Sequence, residues 1–120
     1  MKDVLLIDDD IMEQKLMHVF LTRRYDEDFE LTYVDNLDAG LKALDEGEFD
    51  VVFIDHYLPP YKGAHETYPL ISGHVRKASL IYISSGFTPV DRFPAGKNLG
   101  FSFIDKFDIK DRIMNGLLDS

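Results

Sequence analysis

Val51-Val52-Phe53-Ile54 is a run of four apolar residues that stops at a carboxylate, Asp55. It has no polar alternation. Neither face of such a strand would meet water, as a parallel sheet covered on both sides requires. The same pattern recurs outward from it. Val4-Leu5-Leu6-Ile7 runs into Asp8-Asp9-Asp10, and Leu80-Ile81-Tyr82-Ile83 into Ser84-Ser85-Gly86. Phe101-Ser102-Phe103-Ile104 ends in Asp105-Lys106, and Leu31-Thr32-Tyr33-Val34 supplies a fifth run.

Helical patterns lie between these runs. From Ile11 to Arg24, the residues Met12, Leu16, Val19, Phe20 and Arg23 recur at spacings of three and four. Asp10 before them is a predicted N-cap, with Glu13 three residues on in a capping-box arrangement. Leu37, Leu41 and Leu44 form one apolar face, and Gly47 is a natural stop. Ile109, Ile113 and Leu117 repeat the pattern over a helix from Ile109 to Leu118. A third helix contains Pro69, and a fourth is bracketed by Pro89 and Pro94. An interior proline costs about 3 kcal/mol in a helix, so the fourth is expected to be short or irregular. Five strand–helix repeats with short connections predict an α/β domain spanning residues 1–120, with helices on both faces of the sheet.

Composition narrows the function. The chain has 120 residues, no cysteine and a net charge of −9. Without cysteine there is no disulfide framework, thiolate zinc site or cysteine nucleophile. The acidity repels nucleic acid phosphates, and no local Lys/Arg cluster offsets it. No apolar stretch approaches the roughly 20 residues of a membrane span, and no signal peptide is evident. A cytoplasmic protein is expected. His18, His56, His65 and His74 show no ligand spacing. The Gly and Pro residues from Gly86 to Gly100 read as loop, because no G-x-x-x-x-G-K-[ST] pattern is present.

The chemistry lies at the strand ends. Parallel strands deliver their carboxyl ends to one sheet edge, where ligands bind in such folds. That edge would carry Asp8, Asp9, Asp55, Ser84 and Lys106. Two carboxylates about 4 Å apart repel by roughly 4 kcal/mol at an effective dielectric of about 20. A hard divalent cation with oxygen ligands relieves this, and Mg²⁺ characteristically shares its shell between carboxylates, water and phosphate oxygens. The hydroxyl and the ammonium could then bind phosphoryl oxygens, a set suited to phosphoryl transfer onto a carboxylate.

In this order and at these distances the residues resemble the response-regulator receiver family over essentially the whole chain. Val4-Leu5-Leu6-Ile7-Asp8-Asp9 resembles its apolar strand and acidic pair. Asp55-His56-Tyr57-Leu58-Pro59 with Gly63 resembles its D-x-x-[ML]-P-x-x-x-G. Ser84 with the small Ser85, Lys106, and the aromatic Phe103 three residues before that lysine fall at the remaining motif positions. The resemblance implies a doubly wound, flavodoxin-like five-stranded parallel sheet in the order 2-1-3-4-5. It implies that Asp55 accepts phosphate from the histidine of a sensor kinase or phosphotransfer protein. It implies Mg²⁺ on Asp8, Asp9, Asp55 and the backbone carbonyl of Tyr57. Ser84 and Lys106 would bind the phosphoryl oxygens, with Ser84 and Phe103 as switch residues, although Phe103 is equally readable as core. Such a domain is a signalling module rather than an enzyme. With almost no chain beyond the receiver pattern, it is expected to stand alone and signal by contact with a downstream protein. One departure stands out: receivers usually carry proline after the lysine, and here it is Phe107.

Two rivals use the same residues. Asp8-Asp9-Asp10 fits the D-x-D signature of haloacid-dehalogenase-like phosphatases, with Asp8 as nucleophile. That reading gives Asp55 no role, and no clear acidic pair follows the lysine. The other rival is a receiver-fold interaction module that never carries phosphate, against which the intact acidic set argues.

Overall fold

A computed structural model describes residues 1–84 and 101–119. Its strands are β1 (Lys2–Ile7), β2 (Phe29–Val34), β3 (Val51–Asp55), β4 (Ser79–Ser84) and β5 (Ser102–Asp105). Its helices are α1 (Ile11–Tyr25), α2 (Leu37–Glu46), α3 (Ala64–Ile71) and α4 (Ile109–Met114), the last preceded by a 3₁₀ turn, Lys106–Asp108. All strand pairs are parallel, in the order β2-β1-β3-β4-β5. This is the expected flavodoxin-like order.

Strand side chains alternate between two cores, as the twofold period of a strand demands. Val4, Leu6, Val51, Phe53, Ile81 and Ile83 face Met17 and Leu21 of α1 and Ile109 and Ile113 of α4. Leu5, Ile7, Val52, Ile54, Leu80 and Tyr82 face Leu37 and Leu44 of α2 and Ala64 and Ile71 of α3. Strands buried on both faces explain the unbroken apolar runs. Gly40 lets α2 approach the sheet closely, since a Cβ there would lie 2.5 Å from Ile7 Cδ1.

Several local expectations are corrected. On α1 the buried residues are Met17 and Leu21, whereas Met12, Leu16 and Val19 are exposed. The helix has apolar residues on more than one side, so spacing alone does not identify the face that packs. Asp10 is the N-cap, accepting from the Met12 N–H at 2.9 Å. The capping box does not close: the Asp10 N–H donates to Asp8 Oδ1 instead, and the Glu13 side chain turns to Lys106. The C-terminal helix stops at Met114, not Leu118, where Asn115 and Gly116 (φ 93°) turn the chain. Leu118 still reaches the core. Pro69 lies inside α3, which ends two residues later. The expected helix bracketed by Pro89 and Pro94 lies outside the described residues, as do Ser85, Gly86 and the Gly/Pro-rich stretch.

Candidate functional site

Register brings the strand ends together. Ile7 pairs with Ile54, so Asp8 and Asp55 emerge side by side. Asp55 pairs with Ile83, and Ser84 with Asp105, which puts Ser84 and Lys106 at the same edge. Asp8, Asp9 and Asp55 each offer a carboxylate oxygen within 4.8 Å of the others, a group able to hold a metal ion. A cleft of about 290 Å³ opens above them, walled also by Asp10, Glu13, Tyr57, Ile83, Ser84 and Lys106.

Asp8 is held firmly. It is only 3% exposed, and its Oδ1 accepts the Asp10 N–H at 2.9 Å. Its backbone carbonyl accepts the Tyr33 hydroxyl at 2.7 Å, a tie from the edge strand β2. Burial, partly opposed by the Asp10 N–H and reinforced by the charges of Asp55, Glu13 and Asp9, pushes its carboxyl up to about 7. Asp9 is exposed and Asp55 half-buried. The Asp55 carboxyl is also raised, first by burial and then by Asp9 and Glu13, while the Tyr57 N–H (3.2 Å from Oδ1) and Lys106 lower it. Two carboxyls displaced upward beside a third, in an open cleft, form a site that gains from a bound cation.

Ser84 is 1% exposed, and among the described residues its Oγ has no hydrogen-bond partner. An orphaned buried hydroxyl of this kind is costly unless a ligand completes it. Together the three carboxylates and this hydroxyl fit a hard cation and an anionic oxygen group. Lys106 pairs with Glu13, Nζ to Oε1 3.2 Å. The Tyr57 ring, 47% exposed, lines the cleft and meets the His56 ring edge-on at 4.5 Å. Phe103 is half-buried and packs against His56, Tyr82 and Phe101 at 5.6, 5.9 and 5.5 Å. It therefore belongs to the core layer beneath the cleft.

Three supporting residues were not singled out by the sequence reading. Glu13 was assigned to a capping box, and only tertiary structure turns it toward Lys106. Tyr33 sat unremarked inside an edge strand. His56 lacks metal-ligand spacing and occupies a variable position of the motif after Asp55, so its sequence context does not mark it. It is fully buried, its N–H donates to the Ile83 carbonyl, and its Nδ1 accepts from the Ala64 N–H at 3.0 Å. Asp105 also stands out: its Oδ1 accepts the Phe107 N–H at 2.9 Å, a donor that proline at this position would lack. Among the described residues, no helix is long and apolar enough to cross a membrane.

No protein-family model and no curated protein matches the chain. Solved structures do. A sensor protein from Polaromonas sp. JS666 superposes with a TM-score of 0.76 at 15% identity, over 97% of this chain and 92% of that one. A response regulator receiver domain protein from Methanospirillum hungatei JF-1 gives 0.72 at 18% identity, over 95% and 89%. The receiver domain of a sensor histidine kinase from Pseudomonas aeruginosa PAO1, with a magnesium ion coordinated in its active site cleft, gives 0.68 at 18% identity, over 99% and 98%. Sheet order, paired cores and these superpositions over nearly the full length agree: this chain has the receiver fold of response regulators.

Proposed function

We propose that this chain is the phosphoacceptor module of a two-component or phosphorelay system, receiving a phosphoryl group on Asp55 from a histidine of a sensor kinase or phosphotransfer protein. The observation that carries this reading is the grouping of Asp55 with Asp8 and Asp9 at the carboxyl edge of the sheet, beside the buried hydroxyl of Ser84, which has no partner among the described residues. Asp8, Asp9 and Asp55, with the Tyr57 carbonyl, would hold Mg²⁺. When bound, the ion supplies positive charge that offsets the carboxylates and the incoming phosphoryl oxygens.

The chain's own residues do the rest. An Asp55 oxygen attacks phosphorus while β3 fixes its position. The Ser84 hydroxyl has a proton to donate to a phosphoryl oxygen, which would satisfy a group that is buried and has no hydrogen-bond partner among the described residues. Among the described residues lining the cleft, Lys106 is the one lysine, and it brings its positive charge there. Asp8 is poorly placed as a nucleophile, since it is buried and one of its oxygens is engaged by the Asp10 N–H. Phe103, whose ring meets that of His56 just past the end of β3 at 5.6 Å, would sense a change there, with Ser84 as the switch at the site itself.

A protein donor must dock beside the cleft. Ile11, Met12, Leu16 and Val19 of α1 are exposed, as is Phe107 at 77%. Leu16, Phe20 and Phe107 line a groove of about 250 Å³ that continues from Glu13 and Lys106. This apolar surface suits a helical partner, and signal output would likewise be by protein contact. Incubation with acetyl phosphate and Mg²⁺, followed by peptide mapping, tests the assignment. Label on Asp55, lost in Asp55→Asn, supports it; label on Asp8, or none, overturns it.

A further inference from the structure

Lys106 is expected to serve a phosphoryl group on Asp55, yet its ion pair among the described residues is with Glu13, at 3.2 Å. Glu13 stands in the first turn of α1, just after the N-cap that follows the acidic pair. That position leans its carboxylate over the cleft that Asp8, Asp9 and Asp55 occupy. Its side chain is only 13% exposed, against 35% for Lys106. The pair is thus sheltered enough to outlast a freely solvated one. Glu13 is the main stabiliser of the charged Lys106, ahead of Asp8 and Asp10. It also adds its negative charge to the surroundings of both Asp8 and Asp55.

We propose that Glu13 is a positioning residue that holds Lys106 in the unphosphorylated protein, so that phosphorylation of Asp55 proceeds by exchange of the ammonium from Glu13 to a phosphoryl oxygen. This rests on the phosphoacceptor reading above and adds a resting-state contact to it. In the reaction, an Asp55 oxygen forms a bond to phosphorus as the bond from phosphorus to the donor's leaving atom breaks, an imidazole nitrogen for a phosphohistidine or an oxygen for acetyl phosphate. With acetyl phosphate, acetate departs carrying that electron pair, and no redox change occurs. The terminal oxygens of the anionic phosphoryl group on Asp55 then compete with the single Glu13 carboxylate for Lys106. Glu13 therefore opposes transfer twice, by occupying the lysine and by repelling an anionic donor. It also favours the return of Lys106 once the phosphate is lost.

The test compares the initial rate of Asp55 labelling by acetyl phosphate in the wild type, Glu13→Gln, Glu13→Ala, Lys106→Ala and the Glu13→Gln/Lys106→Ala double variant. Mg²⁺ is saturating for each variant, and circular dichroism confirms folding. Release of a partly sheltered pair should raise the rate roughly three- to tenfold in both Glu13 variants. In the Lys106→Ala background the gain should fall to the smaller part that relief of repulsion alone supplies, because no ammonium remains to be freed. The ¹⁵N resonance of Lys106 Nζ gives a readout independent of rate. It should shift on adding Mg²⁺ and beryllofluoride to the wild type, and should already be displaced in resting Glu13→Gln. An unchanged rate in both Glu13 variants, or an equal gain with and without Lys106, overturns the proposal while leaving Asp55 as acceptor. A wild type that takes no label on Asp55 overturns the phosphoacceptor reading and this inference with it.

Discussion

His56 Nδ1 accepts a hydrogen bond from the Ala64 N–H at 3.0 Å, and so caps from within the core a helix whose own N-cap residue, Gly63, has no side chain to do it. His56 follows the candidate phosphoacceptor directly. Its ring therefore ties the loop after Asp55, which includes the cleft-lining Tyr57, to the start of α3. Because Nδ1 accepts, the neutral ring carries its proton on Nε2. The ring is enclosed by Tyr57, Tyr82 and Phe103.

That contact makes Gly63 and His56 mutually dependent. A Cβ on residue 63 would lie 2.9 Å from His56 Cε1 and 3.1 Å from Nε2. The ring has little room to give, so Gly63→Ala should destabilise by about 1–3 kcal/mol. His56→Ala strands the buried Ala64 N–H and should also cost at least about 1–3 kcal/mol. Urea unfolding of Gly63→Ala, His56→Ala and the double variant reads the coupling. The double variant should lose less than the sum of the two, because the clash partner is gone. Strict additivity would show that the ring does not set the need for glycine.

Stability of the metal-free protein should fall as pH rises. Asp8 moves from 3.8 to about 7 on folding, so between those values the folded state binds a proton that the unfolded chain has released. The stabilisation is fully present below pH 4 and is lost as pH rises through about 7, a change of at most a few kcal/mol from this group once solvent screening is allowed for. Asp55, raised in the same direction, adds to the slope. The difference between wild type and Asp8→Asn, followed by thermal unfolding from pH 4.5 to 8, isolates the contribution. Millimolar Mg²⁺ should restore the wild type at pH 7–8 and do little for Asp8→Asn. Parallel profiles for the two proteins would contradict the burial of an ionisable carboxyl at this position.

Neighbouring aspartates should separate cleanly. Asp10 caps α1 through Met12 N–H, and Asp10→Ala should cost about 1 kcal/mol of stability with a small effect on Mg²⁺ affinity. Asp9 is exposed and contributes a carboxylate to the acidic group. Asp9→Ala should leave stability unchanged or raised, by relief of repulsion, while weakening Mg²⁺ binding at least tenfold. Calorimetric titration and melting curves on the two variants check this, and the reverse pattern would place the metal one residue later.

What was legible in the sequence follows from how strongly physics constrains each feature. Strands buried on both faces must be apolar throughout, so Val51–Ile54 and its counterparts could be read directly, and parallel pairing then fixed where Asp8, Asp55, Ser84 and Lys106 would meet. Helix faces were less legible. Helix α1 carries apolar side chains beyond its packed face, so the spacing of Met12, Leu16 and Val19 pointed away from Met17 and Leu21, the residues that pack. Glu13 fitted a local capping rule and was claimed by a partner 93 positions along the chain, Lys106. His56 offered no pattern, because its role depends on a backbone N–H eight residues away in a different element.

Phe107 gives the last prediction, because its backbone and its ring do separate jobs. The N–H is bonded to Asp105 Oδ1 at 2.9 Å and shapes the 3₁₀ turn that carries Lys106. The ring is 77% exposed and borders the groove beside α1. Phe107→Ala keeps the hydrogen bond and should change stability by no more than about 0.5 kcal/mol. It should also leave labelling by acetyl phosphate near the wild-type rate, while slowing transfer from a phosphorylated protein donor several-fold, since a large exposed apolar contact is gone. Phe107→Pro removes the donor, should cost about 1 kcal/mol, and should alter labelling by both donors because Lys106 is displaced. Side-by-side kinetics with acetyl phosphate and with a phosphohistidine protein distinguish the two effects. Equal slowing of both donors in Phe107→Ala would mean that the ring supports the cleft itself rather than a docking surface.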